Sequence, residues 1–240
     1  MKIIKFDTIN STNTYALENF DKLENMSIVI ANTQTNGRGR FDRTWESSEK
    51  ENIYLSIILK PENLTHIANI TQYLSVVLCK TIKKYNLSPQ IKWPNDVLIN
   101  NKKVCGILCE ASRKDNKING LVLGVGINLN TSLTTLKKIE KPATSLKEET
   151  NKFIEPNNFL ELLLKEFEKD YESIVQDGFA LIKNDYDAHM GYWNKKMFIQ
   201  QHENAEKEEI IPIKTQIDGS IVCVDSNNKE KVFYSGDLIL

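Results

Sequence analysis

Residues 36–47 are the stretch in which residue types and spacing most clearly indicate chemistry. Their sequence is N-G-R-G-R-F-D-R-T-W-E-S, and it contains three of the four arginines of a chain whose other basic residues are lysines. Glycine allows backbone conformations in which successive N–H groups surround an anion, and guanidinium groups donate paired hydrogen bonds to phosphate or carboxylate. The composition therefore favours an anion-binding loop over a solvated basic loop. It is neither a P-loop nor a G-x-G-x-x-G dinucleotide loop, because the required spacings are absent.

A second polar group, K-W-P-N-D at 92–96, interrupts a β-strand pattern. Proline in sheets is confined to edges and bulges, so we expect Lys92, Asn95 and Asp96 to lie at a break in a sheet. Asparagine can hydrogen-bond to a base or a ribose, and aspartate can hold Mg2+ or orient a neighbour. An ordinary Asn-Asp turn explains the same residues equally well.

The third candidate is Lys103, at the start of a strand that reads K-V-C-G-I-L-C-E over 103–110. Alternate residues of a strand share a face, so we expect Lys103 to lie on the face of Cys105, Ile107 and Cys109. There its ammonium group could neutralise a carboxylate or phosphate in a pocket; at the strand end it could instead reach solvent. Gly106 in mid-strand indicates that something approaches the backbone closely.

The fourth candidate is G-V-G-I-N at 124–128. Two glycines in one apolar strand again predict the close approach of a ligand, which Asn128 at the strand end could bind by hydrogen bonds. A bulged core strand is the alternative.

These motifs need a scaffold, which the hydrophobic pattern predicts. Strands are expected over 2–6, 27–32, 52–60, 90–93, 96–99, 103–110 and 119–128, helices over 14–20, 64–85, 157–175 and 179–186, and loops over 33–51 and 131–142. Further short strands are expected over 197–200, 209–217, 220–225 and 231–234, with a hairpin turn at Asp218-Gly219. We therefore predict a larger domain over 1–193 and a small β domain over 194–240. The small domain should dock on the larger one, because about 45 residues bury too little surface for an independent core.

Composition excludes several classes of protein. The 240 residues are 40% hydrophobic and 26% charged, which fits a globular protein, and the formal net charge of −1 argues against bulk nucleic-acid binding. No apolar run approaches the ~20 residues that span a bilayer, and no signal peptide is recognisable, so we expect a cytoplasmic protein. Cys79, Cys105, Cys109 and Cys223 have no metal or redox spacing and are expected to be reduced thiols. The three histidines are isolated in the sequence, and the G-x-S-x-G motif that would indicate a hydrolase is absent from it.

Taken in order, the motifs resemble those of the biotin protein ligase family. The family patterns G-R-G-R-x-x-R-x-W, K-W-P-N-D, K-x-x-G-I-L-x-E and G-x-G-I-N match 37–45, 92–96, 103–110 and 124–128, with weaker matches at 11–13 and 143–146. The resemblance covers about residues 5–150, and the C-terminal part only loosely, through Gly219 and Gly236-Asp237. One departure is Asp42, where the family usually has glycine. Asp42 could pair with Arg43 and pre-order the loop, or change how an adenylate is retained.

The resemblance implies an α+β fold. Its mixed, largely antiparallel sheet would be flanked by helices, as in class II aminoacyl-tRNA synthetases, and followed by a small SH3-like β module. It also implies a two-step reaction. The carboxylate of biotin attacks the α-phosphorus of ATP, giving biotinyl-5′-AMP and pyrophosphate. A lysine of a biotin carboxyl carrier protein, part of acetyl-CoA carboxylase, then forms an amide and releases AMP. ATP with Mg2+ is the implied co-substrate, biotin the substrate, and no tightly bound cofactor is expected.

The resemblance further implies roles for the matching residues. The biotin-binding set is Ser11, Thr12, Asn13, Gln34, Gly37, Arg38, Lys103 and Gly106. The set that binds ATP or the adenylate is Arg38, Arg40, Arg43, Trp45, Lys92, Asn95, Asp96 and Asn128. Lys103 and Arg40 are the implied catalytic residues, because Lys103 would meet the negative charge that develops at the carboxylate and α-phosphate. Asp96 is a candidate Mg2+ ligand.

Other interpretations stay open. A lipoate or octanoate ligase of the same superfamily is the nearest, although its arginine signature usually differs. A catalytically silent biotin sensor is another, and Lys103 and Arg40 argue against it. Longer family members carry an N-terminal DNA-binding domain; here S-T-N at 11–13 follows the start at once, so we expect a monofunctional form with neither DNA nor membrane as a partner. A homodimer is compatible with the sequence.

Overall fold

A seven-stranded sheet forms the centre of the molecule. The structure, a computed structural model, describes residues 1–41, 43–47, 49–202 and 204–239. The strands of the sheet are β1 (Ile3–Ile9), β2 (Ile28–Gln34), β3 (Ile53–Leu59), β4 (Gln90–Lys92), β5 (Asp96–Ile99), β6 (Lys102–Lys114) and β7 (Lys117–Ile127). Their spatial order is β1-β2-β3-β7-β6-β5-β4, and only β1 and β2 are parallel. The predicted mixed, largely antiparallel sheet is therefore confirmed.

The two faces of this sheet have different covers. Helices α2 (Ile70–Lys83) and α5 (Pro156–Asp177) pack together over one face, whereas α1 (Thr12–Glu18) packs on the other. Because side chains alternate along a strand, Ile57 of β3 joins the core under α2 while Ile58 joins the core under α1. Helix α1 covers only part of its face, and the rest carries the loop that follows β2.

The long helices form where the sequence predicts them, with ends set by local chemistry. Helix α5 begins with Pro156, buries an apolar stripe that includes Phe159 and Phe167, and ends at Gly178, whose φ of 68° favours glycine. Helix α1 begins two residues earlier than predicted, because Ser11 is its N-cap and accepts a hydrogen bond from the backbone N–H of Thr14.

A second sheet follows the first in the chain, and it confirms the predicted small C-terminal β unit. It contains β8 (Met197–Gln200), β9 (Glu208–Thr215), β10 (Ile221–Asp225), β11 (Glu230–Phe233) and β12 (Asp237–Ile239), all antiparallel, in the order β11-β10-β9-β8-β12. The Asp218-Gly219 turn contacts α2 and the segment after β4. Gly219 O accepts hydrogen bonds from Gln72 Nε2 at 2.7 Å and from Trp93 Nε1 at 3.2 Å. Apolar side chains of both sheets form one continuous core. Division of the chain at residue 193 stays a prediction.

Several short elements were not predicted. The expected loop 131–142 contains α3 (Leu133–Leu136), and α4 (Leu146–Thr150), β12 and 3-10 turns at Phe20–Lys22 and Ile67–Asn69 are additional. The helix expected over 179–186 is instead a 3-10 turn at Gly178–Leu181 followed by α6 (Lys183–His189). The helix expected over 64–85 starts only at Ile70. Helices α3 and α4 are too short for periodicity to reveal. Serine caps begin them, as Ser132 and Ser145 accept hydrogen bonds from the backbone of Thr135 and Glu148.

The four cysteines are free thiols, as predicted, and three of them are buried. Within the described ranges, no helix is both long and apolar enough to cross a membrane.

Candidate active site

Three glycines form a flat floor on the sheet face beside α1. A Cβ on Gly126 would lie 2.2 Å from the indole of Trp45, a Cβ on Gly106 would lie 2.6 Å from it, and a Cβ on Gly124 would lie 2.1 Å from Asn13 Oδ1. The close approach predicted for these glycines is thus real, but in this structure the approaching groups are the protein's own side chains. Any larger residue would displace the indole or the asparagine.

A wall of uncharged hydrogen-bonding groups stands at one end of the floor. Gln34 Oε1 accepts hydrogen bonds from the backbone N–H of Thr12 at 2.8 Å and from its hydroxyl at 3.2 Å, and Gln34 Nε2 donates to Ser47 Oγ at 2.9 Å. Ser56 Oγ donates to Thr12 Oγ1 at 2.8 Å. A cavity of about 450 Å3 opens beside this wall, lined in part by Gln34, Gly37, Trp45 and Ser47.

The stretch predicted to bind anions, residues 36–47, is called here the glycine-arginine loop, and its described part folds back on itself next to the wall. Gly39 N–H donates to Arg43 O at 2.7 Å, and Trp45 N–H donates to Gly37 O at 2.9 Å. Gly37 is in close contact, because a Cβ there would lie 2.5 Å from Ser47 Oγ. Asp42, the departure from the family pattern, lies outside the described residues.

Arg38 attaches the loop to the floor. Its guanidinium group forms a two-pronged ion pair with Glu110 of β6, with N–O distances of 2.8 and 3.3 Å. The same carboxylate accepts a hydrogen bond from Asn13 Nδ2 at 2.9 Å. Glu110, which sequence reasoning did not single out, therefore orients both Arg38 and Asn13.

A cluster of charged groups lies at the other end of the floor. Asp96 Oδ1 lies 2.6 Å from Lys103 Nζ, and Asp96 Oδ2 lies 3.2 Å from Lys92 Nζ. Burial alone would raise the pKa of Asp96, but the two ammonium groups outweigh burial and hold this pKa below its usual range. Lys103 Nζ also lies 5.2 Å from the centre of the Trp45 ring.

The prediction that Lys103 shares a face of the strand with Cys105 is wrong. Residues pair as Leu98 with Lys103 but Val97 with Cys105, so Val104 is an extra residue on β6. Such a bulge reverses the alternation of side chains at that point. The side chain of Lys103 consequently lies over Gly106, within 2.9 Å of where a Cβ would be, on the site face and away from buried Cys105.

Two more cationic side chains extend this cluster towards the second sheet. Arg40 donates to Asn95 Oδ1 at 3.2 Å, to Gly236 O at 3.0 Å and to Asp237 Oδ1 at 2.9 Å, while Arg43 pairs with the other oxygen of Asp237. The resemblance includes Gly236-Asp237 only loosely, and it does not indicate that Asp237, about 140 positions beyond the K-W-P-N-D motif, would meet these arginines.

Lys141 is a further cation that the sequence did not reveal among many lysines. Its pKa is lowered, first by partial burial and then by the nearby charges of Arg43, Lys92 and Lys103. Positive neighbours disfavour the charged form of this lysine, and a bound anion would offset their repulsion and stabilise the charged form. The cluster is therefore suited to a polyanion such as a phosphate chain.

The remaining predicted residues hold the backbone around the cluster. Asn95 Nδ2 donates to Ile107 O at 2.8 Å. Asn128 Nδ2 donates to Thr144 O at 3.1 Å, and the same segment is bonded to β6 through the N–H of Thr144 and Lys103 O at 2.9 Å. In this structure Asn128 therefore acts through the backbone beside Lys103.

The residues fit a resident metal ion poorly. Both carboxylate oxygens of Asp96 face lysine ammonium groups. Across the described part of the chain, no group of three His, Cys, Asp or Glu side chains could hold a metal ion.

The site thus brings together the predicted residues: Ser11, Thr12, Asn13 and Gln34 at the neutral end, Gly37, Arg38, Trp45 and Gly106 over the floor, and Arg40, Arg43, Lys92, Asn95, Asp96, Lys103 and Asn128 at the charged end.

Known proteins are similar to this chain in sequence. The chain is 34% identical over 186 residues to the bifunctional ligase/repressor BirA of Bacillus spizizenii, covering 75% of this chain and 57% of that protein, so it spans little more than half of that relative. It is 31% identical to the biotin–[acetyl-CoA-carboxylase] ligase of Paracoccus denitrificans, covering 73% of this chain and 75% of that one.

A solved structure shares the fold. The biotin protein ligase from Aquifex aeolicus in complex with biotin and ATP superposes with a TM-score of 0.86 at 24% identity, covering 99% of this chain and 97% of that one. The profile of the biotin/lipoate A/B protein ligase family matches residues 5–128. On the profile match and the likeness to the Paracoccus enzyme, the chain belongs to the biotin/lipoate A/B protein ligase family.

Proposed function

We propose that this chain is a biotin protein ligase, which forms biotinyl-5′-AMP from biotin and ATP and transfers biotin to a lysine of a carrier protein. The observation that carries the proposal is the joining of two chemically different ends over one glycine floor. An uncharged hydrogen-bonding wall suits a neutral ring system, and the adjacent cations suit phosphates.

The neutral wall supplies recognition of the biotin ring. The ring's ureido group offers N–H donors and a carbonyl acceptor. In the free protein Gln34, Thr12 and Ser47 are hydrogen-bonded to one another. Each could exchange one of these hydrogen bonds for a hydrogen bond to the ureido group, so that no buried polar atom is left unpaired. Lipoate and octanoate have no ureido group, which favours biotin over these acids. The relatives from Bacillus and Paracoccus are likewise named for ligase or biotin ligase activity.

The charged end performs the chemistry. A carboxylate oxygen of biotin attacks the α-phosphorus, the bond to the β-phosphate oxygen breaks, and pyrophosphate leaves. Lys103, held by Asp96 beside the floor, would stabilise the charge on the attacked phosphate, while Arg40 and Arg43 bind the phosphates that depart.

Transfer reuses the same groups. The amine of the acceptor lysine attacks the acyl carbon, the bond to phosphate breaks, AMP leaves, and the amine loses a proton. The loop with Trp45 lies over the floor and would keep water from the mixed anhydride before the carrier arrives.

The finer features follow from this proposal. Mg2+ would enter with ATP, bound to the phosphates, and we assign no metal-binding role to Asp96. The acceptor would be a biotin carboxyl carrier protein, in keeping with the acetyl-CoA carboxylase named for the Paracoccus relative. A cytoplasmic location suits an enzyme that uses ATP and carboxylase subunits.

The decisive experiment is isotope exchange between pyrophosphate and ATP, with biotin, lipoate or octanoate as the only added acid. We expect exchange with biotin alone. Exchange with lipoate or octanoate would move the protein to the neighbouring ligases, and a folded protein that binds biotin without exchange would be a sensor.

A further inference from the structure

Asp237 connects the glycine-arginine loop to the second sheet. It lies at the start of β12, its side chain is 11% exposed, and its two carboxylate oxygens are taken by two different arginines, Arg40 and Arg43. The carbonyl of Gly236 adds a hydrogen bond to Arg40. One short segment of the second sheet therefore holds two guanidinium groups for which the family resemblance implies phosphate binding.

The charges around this contact explain why a carboxylate is needed there. Arg40, Arg43, Lys92, Lys103 and Lys141 crowd the charged end of the floor. Lys92 and Lys103 share Asp96. Without Asp237, the two arginines would face these cations with no carboxylate of their own among the described residues, and mutual repulsion would drive the loop outwards.

The contact also leaves binding capacity. The hydrogen bonds of Arg40 to Asn95, Gly236 and Asp237 all use one terminal nitrogen, and Arg43 likewise uses one terminal nitrogen on Asp237. Towards the described part of the chain, the other terminal nitrogens make no hydrogen bond. The centre of the Phe41 ring lies 4.9 Å from the guanidinium carbon of Arg40 and 5.3 Å from that of Arg43, so both cations contact one aromatic ring.

We propose that Asp237 is a positioning residue that holds Arg40 and Arg43 over the site and leaves their remaining donors for phosphate. The second sheet thereby completes the ATP site of the first. The identity of the ligand as ATP rests on the proposed function, whereas the attachment of the loop by Asp237 is independent of it.

The first test measures the attachment without any ligand. Trypsin cleaves after arginine, so cutting after Arg38, Arg40 and Arg43, mapped by mass spectrometry, reports loop opening. We expect D237N to raise cleavage in the loop by about tenfold, because an amide cannot pair with two guanidinium groups. E209Q removes a carboxylate from an exposed ion pair on the same sheet and should leave cleavage unchanged.

The second test measures substrate binding. D237N should raise the KM for ATP about tenfold and leave the KM for biotin within about twofold, because only the charged end loses its support. A lower KM for ATP in D237N would mean that Asp237 competes with phosphate, and would overturn the proposal. Absence of exchange in the wild type would refute the proposed function, and the trypsin test would still decide the attachment.

A second variant covers the case in which D237N destabilises the small sheet. R43Q breaks the same contact from the loop side and should also speed cleavage after Arg38 and Arg40. Because both substitutions break the contact between Arg43 and Asp237, loop cleavage in the double variant R43Q/D237N should be slower than independent effects of the two single variants would give. Wild-type cleavage rates in both single variants would overturn the proposal.

Discussion

The two ends of the site are built on one floor from opposite kinds of interaction. The neutral end joins Thr12, Gln34, Ser47 and Ser56 by hydrogen bonds between uncharged groups. The charged end joins lysines and arginines to two carboxylates, Asp96 and Asp237. Neutral hydrogen bonds depend on shape and partner geometry, whereas ion pairs depend on pH, salt and the total charge nearby.

The different kinds of interaction suit the two ends for different functions. Recognition of an uncharged ring requires every polar group to find a partner, and the neutral end satisfies its own groups in the free protein. Catalysis at a phosphate requires an excess of positive charge, and among the described residues the charged end has that excess even after Asp96 and Asp237 are counted. Substitutions at the two ends should therefore separate KM for biotin from kcat and KM for ATP.

The largest effect is expected from K103A. If the proposed function holds, Lys103 faces the reacting phosphate, and removing its ammonium group should lower kcat for adenylate formation about 100- to 1000-fold, as for other groups that stabilise developing charge. Single-turnover formation of the adenylate measures this. K102A, which alters the exposed neighbour on β6, is the matched control and should retain activity. If K103A turned over at the wild-type rate, Lys103 would have no part in the chemistry.

D96N tests the same end through stability. Breaking one side of a buried ion pair costs about 3 kcal/mol, and here two lysines lose their counter-ion. The pKa of Asp96 is lower in the folded protein than in the unfolded chain, so its stabilisation is complete above about pH 5 and is lost as the pH falls through the folded pKa.

Urea denaturation at pH 7, 5 and 3 measures this difference. D96N should be less stable than the wild type at pH 7, and the gap should narrow at pH 3. D21N, at an exposed pair with Lys114, should change the free energy of unfolding by less than about 1 kcal/mol at every pH. A constant gap from pH 7 to pH 3 would contradict the pKa direction of Asp96.

Much of the sheet could be predicted from the sequence, because its strands are apolar runs bounded by turn residues. The β-hairpin of β6 and β7 follows from two apolar runs separated by turn residues, and helix α5 follows from a period-3.6 pattern over many residues. The motifs also named the residues that the fold brings together at the site. Short elements such as α3 could not be predicted, because four residues are too few to show a helical period.

What the sequence could not predict depends on single residues and distant contacts. One extra residue, Val104, turns Lys103 from the predicted face to the site. Asp237 and Lys141 reach the cluster only through tertiary structure. Nothing in its local sequence distinguishes Lys141 from a surface lysine, and the loose resemblance at Gly236-Asp237 does not indicate which residues Asp237 would contact. Glu110 lies inside a motif, but its partner Arg38 is 72 positions away.

Q34A tests the neutral end, with a smaller expected effect. It removes the acceptor of two Thr12 hydrogen bonds and the donor to Ser47. Unsatisfied neutral groups cost about 1–3 kcal/mol, so KM for biotin should rise about tenfold while KM for ATP stays within about twofold. N32A, on the exposed side of β2, is the control. A larger change in KM for ATP than for biotin would reverse the assignment of the two ends.

The smallest effect, and the one that reads both ends in a single protein, is that of salt. Raising sodium chloride from about 50 to 500 mM shortens the screening length to a few ångströms. The partly exposed Arg40 and Arg43 should then bind ATP less well, so that KM for ATP rises a few-fold. KM for biotin should change much less, because the wall that binds its ring is made of uncharged groups. Sorbitol at matched osmolality controls for water activity. Equal sensitivity of both KM values would show that loop closure, and not the local charge, sets substrate affinity at both ends.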